Sequence, residues 1–178
     1  INFLSSPFQP ELISSNKDKK SSFGSLKNQT PIKFASSNTH FLFLNDLNQL
    51  YGFGSNLKHQ ISTKKLPLFS LPIKIDLIDE DLLIKEIACG QNFSVININN
   101  QKIEIFGCQN CKIQKSNIRG LSALNNTLAF AYENNNVYIG TIKTNSNSSN
   151  DKNEIKNTVY KLPSPILKTA INDYSVAA

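Results

Sequence analysis

Short apolar runs separated by polar breaks recur along this chain, at lengths suited to strands. The stretch Ile84-Lys-Glu-Ile-Ala-Cys-Gly-Gln-Asn-Phe-Ser-Val-Ile-Asn-Ile-Asn-Asn-Gln-Lys-Ile-Glu-Ile-Phe-Gly107 reads as strand, turn, strand, glycine. The same plan runs from Ile32 to Gly54. The two align without a gap: His40 falls on Phe93 and Phe53 on Phe106, each 53 residues on. Phe41-Leu-Phe-Leu44 is continuously apolar, the pattern of a strand covered on both faces. Pro31 suits the start of an edge strand, where no ladder donor is needed. Asn99-Asn100 tolerates left-handed backbone angles and predicts a hairpin turn.

A third, worn copy follows: Thr127-Leu-Ala-Phe-Ala-Tyr132, the polar Glu133-Asn-Asn-Asn136, and Val137-Tyr-Ile-Gly140. Between the first two copies, Ser55 to Leu83 reads as a connection carrying Leu66 to Ile75 and the acidic Asp76 to Asp81. Lys112 to Leu124 has mixed polarity and no helical period. Thr144 to Asn157 is Asn/Ser/Lys low complexity and predicts a disordered loop between units. Asp173-Tyr-Ser-Val176 resembles Asn92-Phe-Ser-Val95, so a fourth unit starts near the end. The expected organisation is a leader over 1–30 with a Ser/Lys-rich loop. Propeller units then occupy about 31–60, 71–111, 118–143 and, incomplete, 162–178.

Repeats of this length imply solenoids, propellers or arrays. Strand pairs apolar on both faces suit a propeller, in which each small sheet packs on the next. The predicted class is all-β: propeller blades of antiparallel strands, three to four units, a partial propeller. Gly52, Gly54 and Gly107, at the strand ends, allow a sharp bend or close backbone approach.

Composition alters this picture little. The 178 residues are 39% hydrophobic with a net charge of +6. That balance permits contact with acidic proteins or nucleic acid without demanding it. Lys17-Asp-Lys-Lys20 is too short, and too poor in aromatics, to support nucleic-acid binding well. The three cysteines, Cys89, Cys108 and Cys111, cannot all pair with one another, which favours a reducing compartment. No apolar run is long enough for a membrane helix. The first residues lack a basic secretory lead, and with no methionine anywhere the chain is expected to have lost its true start. Asparagines 28, 92, 125 and 147 match the glycan acceptor pattern, which chance explains in so Asn-rich a chain.

Particular residues carry a family resemblance. Ile87-Ala-Cys-Gly-Gln-Asn-Phe-Ser94 and Leu50-Tyr-Gly-Phe-Gly-Ser-Asn56, with Gln60 after it, resemble the two halves of the repeat of the regulator of chromosome condensation family. Phe93 stands where that repeat prefers histidine; His40 fits the histidine position of the first unit, but Ser37 replaces its glycine. The resemblance covers roughly residues 31–110 well and 120–178 poorly. It implies blades of four strands from a seven-bladed ring.

Candidate chemistry is sparse. Cys108-Gln-Asn-Cys111 is a CxxC, yet a zinc site would need two further ligands, such as Cys89, His40 or His59. A redox motif should open a helix in a βαβ setting, which the pattern lacks. Cys108 and Cys111 read as two incidental cysteines in a post-strand loop, without bound zinc, and any further role stays open. Cys89 reads as a small core residue. His40 could serve as a general base, but at the repeat position it reads as packed and hydrogen-bonded. His59 is a lone loop histidine. Asp76, Asp79, Glu80 and Asp81 could bind a cation but read as a solvated turn. No catalytic, cofactor or metal site is assigned, and no cofactor is expected.

The expected function is a non-enzymatic protein–protein interaction scaffold in the cytoplasm or nucleus, with no membrane association. A protein partner is expected, since propellers present loops on a rigid rim, and the resemblance implies a small GTPase or a complex subunit. The resemblance implies two alternatives. One is guanine-nucleotide exchange on a small GTPase, although the family's exchange loop has no counterpart here. The other is a propeller partner in diphthamide and tRNA wobble-uridine modification.

Overall fold

The computed structural model describes residues 30–77, 82–108, 111–143, 154–171 and 176–177. All regular elements there are strands. The first sheet contains β1 (Pro31–Ser36), β2 (His40–Asn45), β3 (Leu50–Ser55) and β4 (Leu68–Lys74). The second contains β5 (Ile84–Cys89), β6 (Ser94–Ile98), β7 (Lys102–Phe106) and β8 (Lys112–Gln114). The third contains β9 (Arg119–Leu124), β10 (Thr127–Tyr132), β11 (Asn136–Lys143) and β12 (Glu154–Lys161). Each is an antiparallel meander in chain order, and a two-stranded piece, β13 (Ala170–Ile171) with β14 (Val176–Ala177), follows. These are propeller blades, the expected all-β class.

The internal repeat survives as strand register. In the first sheet Phe41 faces Phe53, Phe43 faces Tyr51 and Leu44 faces Leu50. In the second, Ser94 faces Phe106, Ile96 faces Glu104 and Asn97 faces Ile103, each 53 residues on. The lead strands repeat too: Ala35 faces Leu42 as Ala88 faces Val95, and the ladder slips between Pro31 and Lys33 as it does between Ile84 and Glu86. Asn99 and Asn100 take φ of 54° and 56°, turning the second hairpin as expected. The third sheet keeps the same register 34 residues further along, where Phe130 faces Tyr138.

Alternation within each strand decides which blade a side chain meets. Leu42 and Leu44 point towards the second sheet and join Ile96, Ile98, Ile84 and Cys89 in one buried cluster. Phe93 and Val95 point the other way, joining Leu128, Phe130 and Tyr138 in the next. A smaller cluster, Ala131, Val137 and Ile166, seats the segment after β12 on the third sheet. Strands β1, β5, β9 and β13 lie side by side as the adjoining strands of successive blades. On the opposite face of the first sheet Phe43 stacks on Tyr51 at 5.0 Å, with Phe34 and Phe41 alongside.

Four segments differ from expectation. Leu68–Lys74, read as part of a connection with the second unit starting at about 71, forms β4 and completes the first sheet. Pro67, Pro72 and the register slip between Gly52 and Gly54 conceal its periodicity. Lys112–Gln114, left between units, is the outer strand of one blade, and Arg119–Leu124, inside the expected third unit but without a strand pattern, is the lead strand of the next. Residues 154–157, placed in a disordered loop, pair with Gly140 to Lys143 along β12. Partner-strand hydrogen bonds there outweigh a local composition that resembles a linker. The remainder of that low-complexity stretch, 144–153, lies outside the described residues, as does the 1–29 leader with its Lys17–Lys20 cluster.

Candidate interaction surface

Polar side chains clamp the blades together. The first and second sheets meet at His40, which opens β2 and is 3% exposed. Its Nε2 lies 2.7 Å from Ser94 Oγ across the junction. Its Nδ1 lies 3.0 Å from Ser37 Oγ and 3.1 Å from Thr39 Oγ1. Burial lowers the imidazole pKa to about 4, so it is neutral near pH 7. This is the packed, hydrogen-bonded role expected of it. Thr39 Oγ1 also donates to the Gln91 carbonyl at 2.6 Å. In the first hairpin turn, Asn48 accepts from the Ile84 amide and donates to the Leu82 carbonyl.

The second and third sheets are joined by Glu86. One carboxylate oxygen accepts from the amides of Gly120 and Leu121, at 2.8 and 3.3 Å. The other accepts from Asn97 Nδ2 at 2.8 Å. Arg119 extends the linkage, donating to the carbonyls of Asn117, Glu133, Asn134 and Ile166. Sequence reading singled out neither residue. Most of their partners are backbone groups far away in sequence, and local pattern carries no signal for such contacts.

The loop between β3 and β4 carries a dense network of side-chain-to-backbone hydrogen bonds. Asn56 is buried, and its Nδ2 donates to the carbonyls of Ser62, Lys64 and Leu66, each at 3.0 Å. Its Oδ1 accepts from the amides of Ile61 and Ser62, both at 3.0 Å. Gln60, also buried, accepts from the Lys58 amide at 2.8 Å. These are the asparagine and glutamine of the repeat resemblance, and here they build a loop from inside. Leu57, Lys58, His59, Lys64, Lys65 and Leu66 are left exposed on its outside.

The remaining candidates do not assemble into a site. Cys108 and Cys111 are not two incidental cysteines: they are joined to each other as a disulfide beside the second core cluster. One bonded pair and one buried thiol account for the odd cysteine count without reference to a compartment. Burial pushes the Cys89 thiol up to about 12, against the smaller opposing effects of its hydrogen bonds with Ser94 and the Leu42 backbone, as suits a core residue. His59 Nδ1 lies 3.3 Å from the Ser62 carbonyl, within its own loop. Asp76 is exposed, while Asp79, Glu80 and Asp81 lie outside the described residues. Among the described residues no group of three His, Cys, Asp or Glu side chains could hold a metal. No helix there is long and apolar enough to cross a membrane.

No family model matches the chain. It is 38% identical over 69 residues to the Rho GTPase-activating protein gacGG of Dictyostelium discoideum, a match covering 38% of this chain and 6% of that protein. Human WBSCR16 superposes with a TM-score of 0.57 at 13% identity, over 72% of this chain and 38% of that one. Saccharomyces cerevisiae Prp20p, described with its binding to Gsp1p and histones, superposes at 0.52 with 15% identity, over 76% and 39%. Yeast RCC1 (Prp20) bound to Kap60 gives 0.51 at 16% identity, over 65% and 30%. The chain thus spans well under half the length of each of these proteins. What it shares with the structures is the blade and its stacking: the fold is that of an RCC1-like propeller.

Proposed function

We propose that the chain is a non-enzymatic protein-binding scaffold, its blades holding loops at fixed positions for a protein partner. The observation that carries this reading is the use made of the polar side chains at the blade junctions. His40, Glu86 and Arg119 are each engaged with a neighbouring blade or a distant turn, so their function is rigidity. A rigid frame lowers the ordering cost of binding through its loops. The structural neighbours support protein partners, since Prp20p is described with Gsp1p and histones, and RCC1 with Kap60. The cytoplasm or nucleus is the proposed location, without membrane association.

Guanine-nucleotide exchange on a small GTPase is the second reading. It draws on Prp20p, described with its binding to Gsp1p; the match to a Rho GTPase-activating protein, whose class stimulates hydrolysis and not exchange, supports contact with a GTPase alone. Release of a fluorescent GDP analogue from purified small GTPases separates the two. A scaffold gives a stable complex with unchanged release, whereas accelerated release at stoichiometric chain would replace the scaffold reading with exchange.

A further inference from the structure

The charge of the loop between β3 and β4 has one sign. From Leu47 to Ile75 the sequence contains no aspartate or glutamate, and Lys58, Lys64, Lys65 and Lys74 all fall within that span. The four lysines are exposed. Both salt bridges among the described residues lie elsewhere, where Glu104 meets Lys102 and Lys112. Lys58, Lys64 and Lys65 are like charges within one loop, and like charges repel one another. They are held together by the buried Asn56 side chain, which bonds five backbone groups of the loop.

The second blade offers a control within the same molecule. Shifted by the repeat offset, Asn56 becomes Gln109 and Gln60 becomes Ile113. The connection there runs only from Gly107 to Cys111. Blade architecture alone therefore does not require the longer loop. Two large aliphatic side chains also stand exposed on it, Leu57 at 72% and Leu66 at 53%. Fixed cations flanked by exposed leucines suit an acidic polypeptide with interspersed apolar residues. Carboxylates would answer the lysines, and apolar side chains would cover Leu57 and Leu66.

We infer that the loop from Asn56 to Leu66 is the docking site for a carboxylate-rich segment of a protein partner. The inference rests on the scaffold reading and names its surface and the chemistry of its partner. A preordered site makes such binding specific, and its like charges make it fast and salt-sensitive.

The test uses the full chain and a fluorescein-labelled peptide of alternating glutamate and leucine blocks, read by anisotropy. Binding should weaken as salt rises. The triple variant Lys58→Glu, Lys64→Glu, Lys65→Glu should bind at least about tenfold more weakly. The neutral triple variant, with glutamine at the same positions, should fall between. A control carrying Lys143→Glu, Lys156→Glu and Lys161→Glu makes the same charge change at exposed positions of β11 and β12 and should bind like the parent. Unchanged circular dichroism and denaturation midpoints establish that all variants fold. Equal loss in the loop variant and the control would overturn the inference, as would tighter binding of a single-stranded RNA of equal charge or of anionic phospholipid vesicles. A protein partner held equally by the parent and by the loop variant would also remove this site while leaving the scaffold reading intact. A GTPase released of its nucleotide would end the scaffold reading without bearing on the loop.

Discussion

His40 of the first blade and Ser94 of the second share a 2.7 Å hydrogen bond at the blade junction. The repeat offset places Phe93, not Ser94, at the position of His40. The imidazole therefore leaves one blade from its outgoing face and meets the next on its incoming face. Phe93 does the same one blade further on, by filling space instead of hydrogen bonding. The same repeat position thus serves the same junction through two chemistries.

Acid should weaken this junction. The His40 pKa falls from 6.5 to about 4 on folding, so the unfolded chain binds the proton more tightly. Its neutral form imposes no penalty above pH 6.5, and stability is lost as pH falls from about 6.5 to about 4. The full loss attributable to this group is roughly 3 kcal/mol. Urea denaturation of the parent and of His40→Gln between pH 7 and pH 4 checks it: the parent should lose more stability over that range. Parallel curves would remove His40 as the cause.

Phe93 is 1% exposed, and its ring presses on Gly90, where a Cβ would stand 2.1 Å from the ring edge. Phe93→Ala should cost about 3–5 kcal/mol through lost contacts and a cavity. Phe34→Ala, at a ring 60% exposed, should cost far less. Comparison of chemical denaturation midpoints decides the matter; equally mild effects would contradict the blade packing.

Asn56→Ala removes the side chain that satisfies five backbone groups while leaving the loop lysines in place. Each polar group left unsatisfied costs on the order of 1–3 kcal/mol where water cannot replace the lost bond. Around this loop, water recovers part of that. The expected outcome is modest global destabilisation, with much faster cleavage by trypsin at Lys58, Lys64 and Lys65. Cleavage at the parental rate would show that other contacts order the loop.

Gly107 sits at φ +85°, and an added Cβ would lie 2.4 Å from the Asn92 carbonyl oxygen. Gly107→Ala should lose about 2–4 kcal/mol from the left-handed backbone and the clash together. Thermal unfolding that shifts by less than the error of measurement would show that the backbone can rearrange there.

The hairpins were legible from the chain alone because their signals are local. Short apolar runs, the Asn99-Asn100 turn and the strand-ending glycines are set by residue type and backbone angle within a few residues. The gapless 53-residue offset transferred unchanged into strand register because a slip of one residue would turn every side chain to the wrong face. The core positions of Phe93 and the packing of His40 followed from the same alignment.

The outer and lead strands needed the fold. Leu68–Lys74, Lys112–Gln114 and residues 154–157 have little pattern of their own, and a neighbouring ladder supplies what their sequences lack. The same holds for the polar clamps. Glu86 reaches amides 34 and 35 residues away, and Arg119 reaches a carbonyl 47 residues away. A charged side chain near such groups is invisible to any window of sequence, because only stacking of the blades brings them together. The sequence by itself determined the repeat, its faces and its turns. Tertiary structure alone decided which polar residues would hold the blades together, and that Asn56 would close a cationic loop around itself.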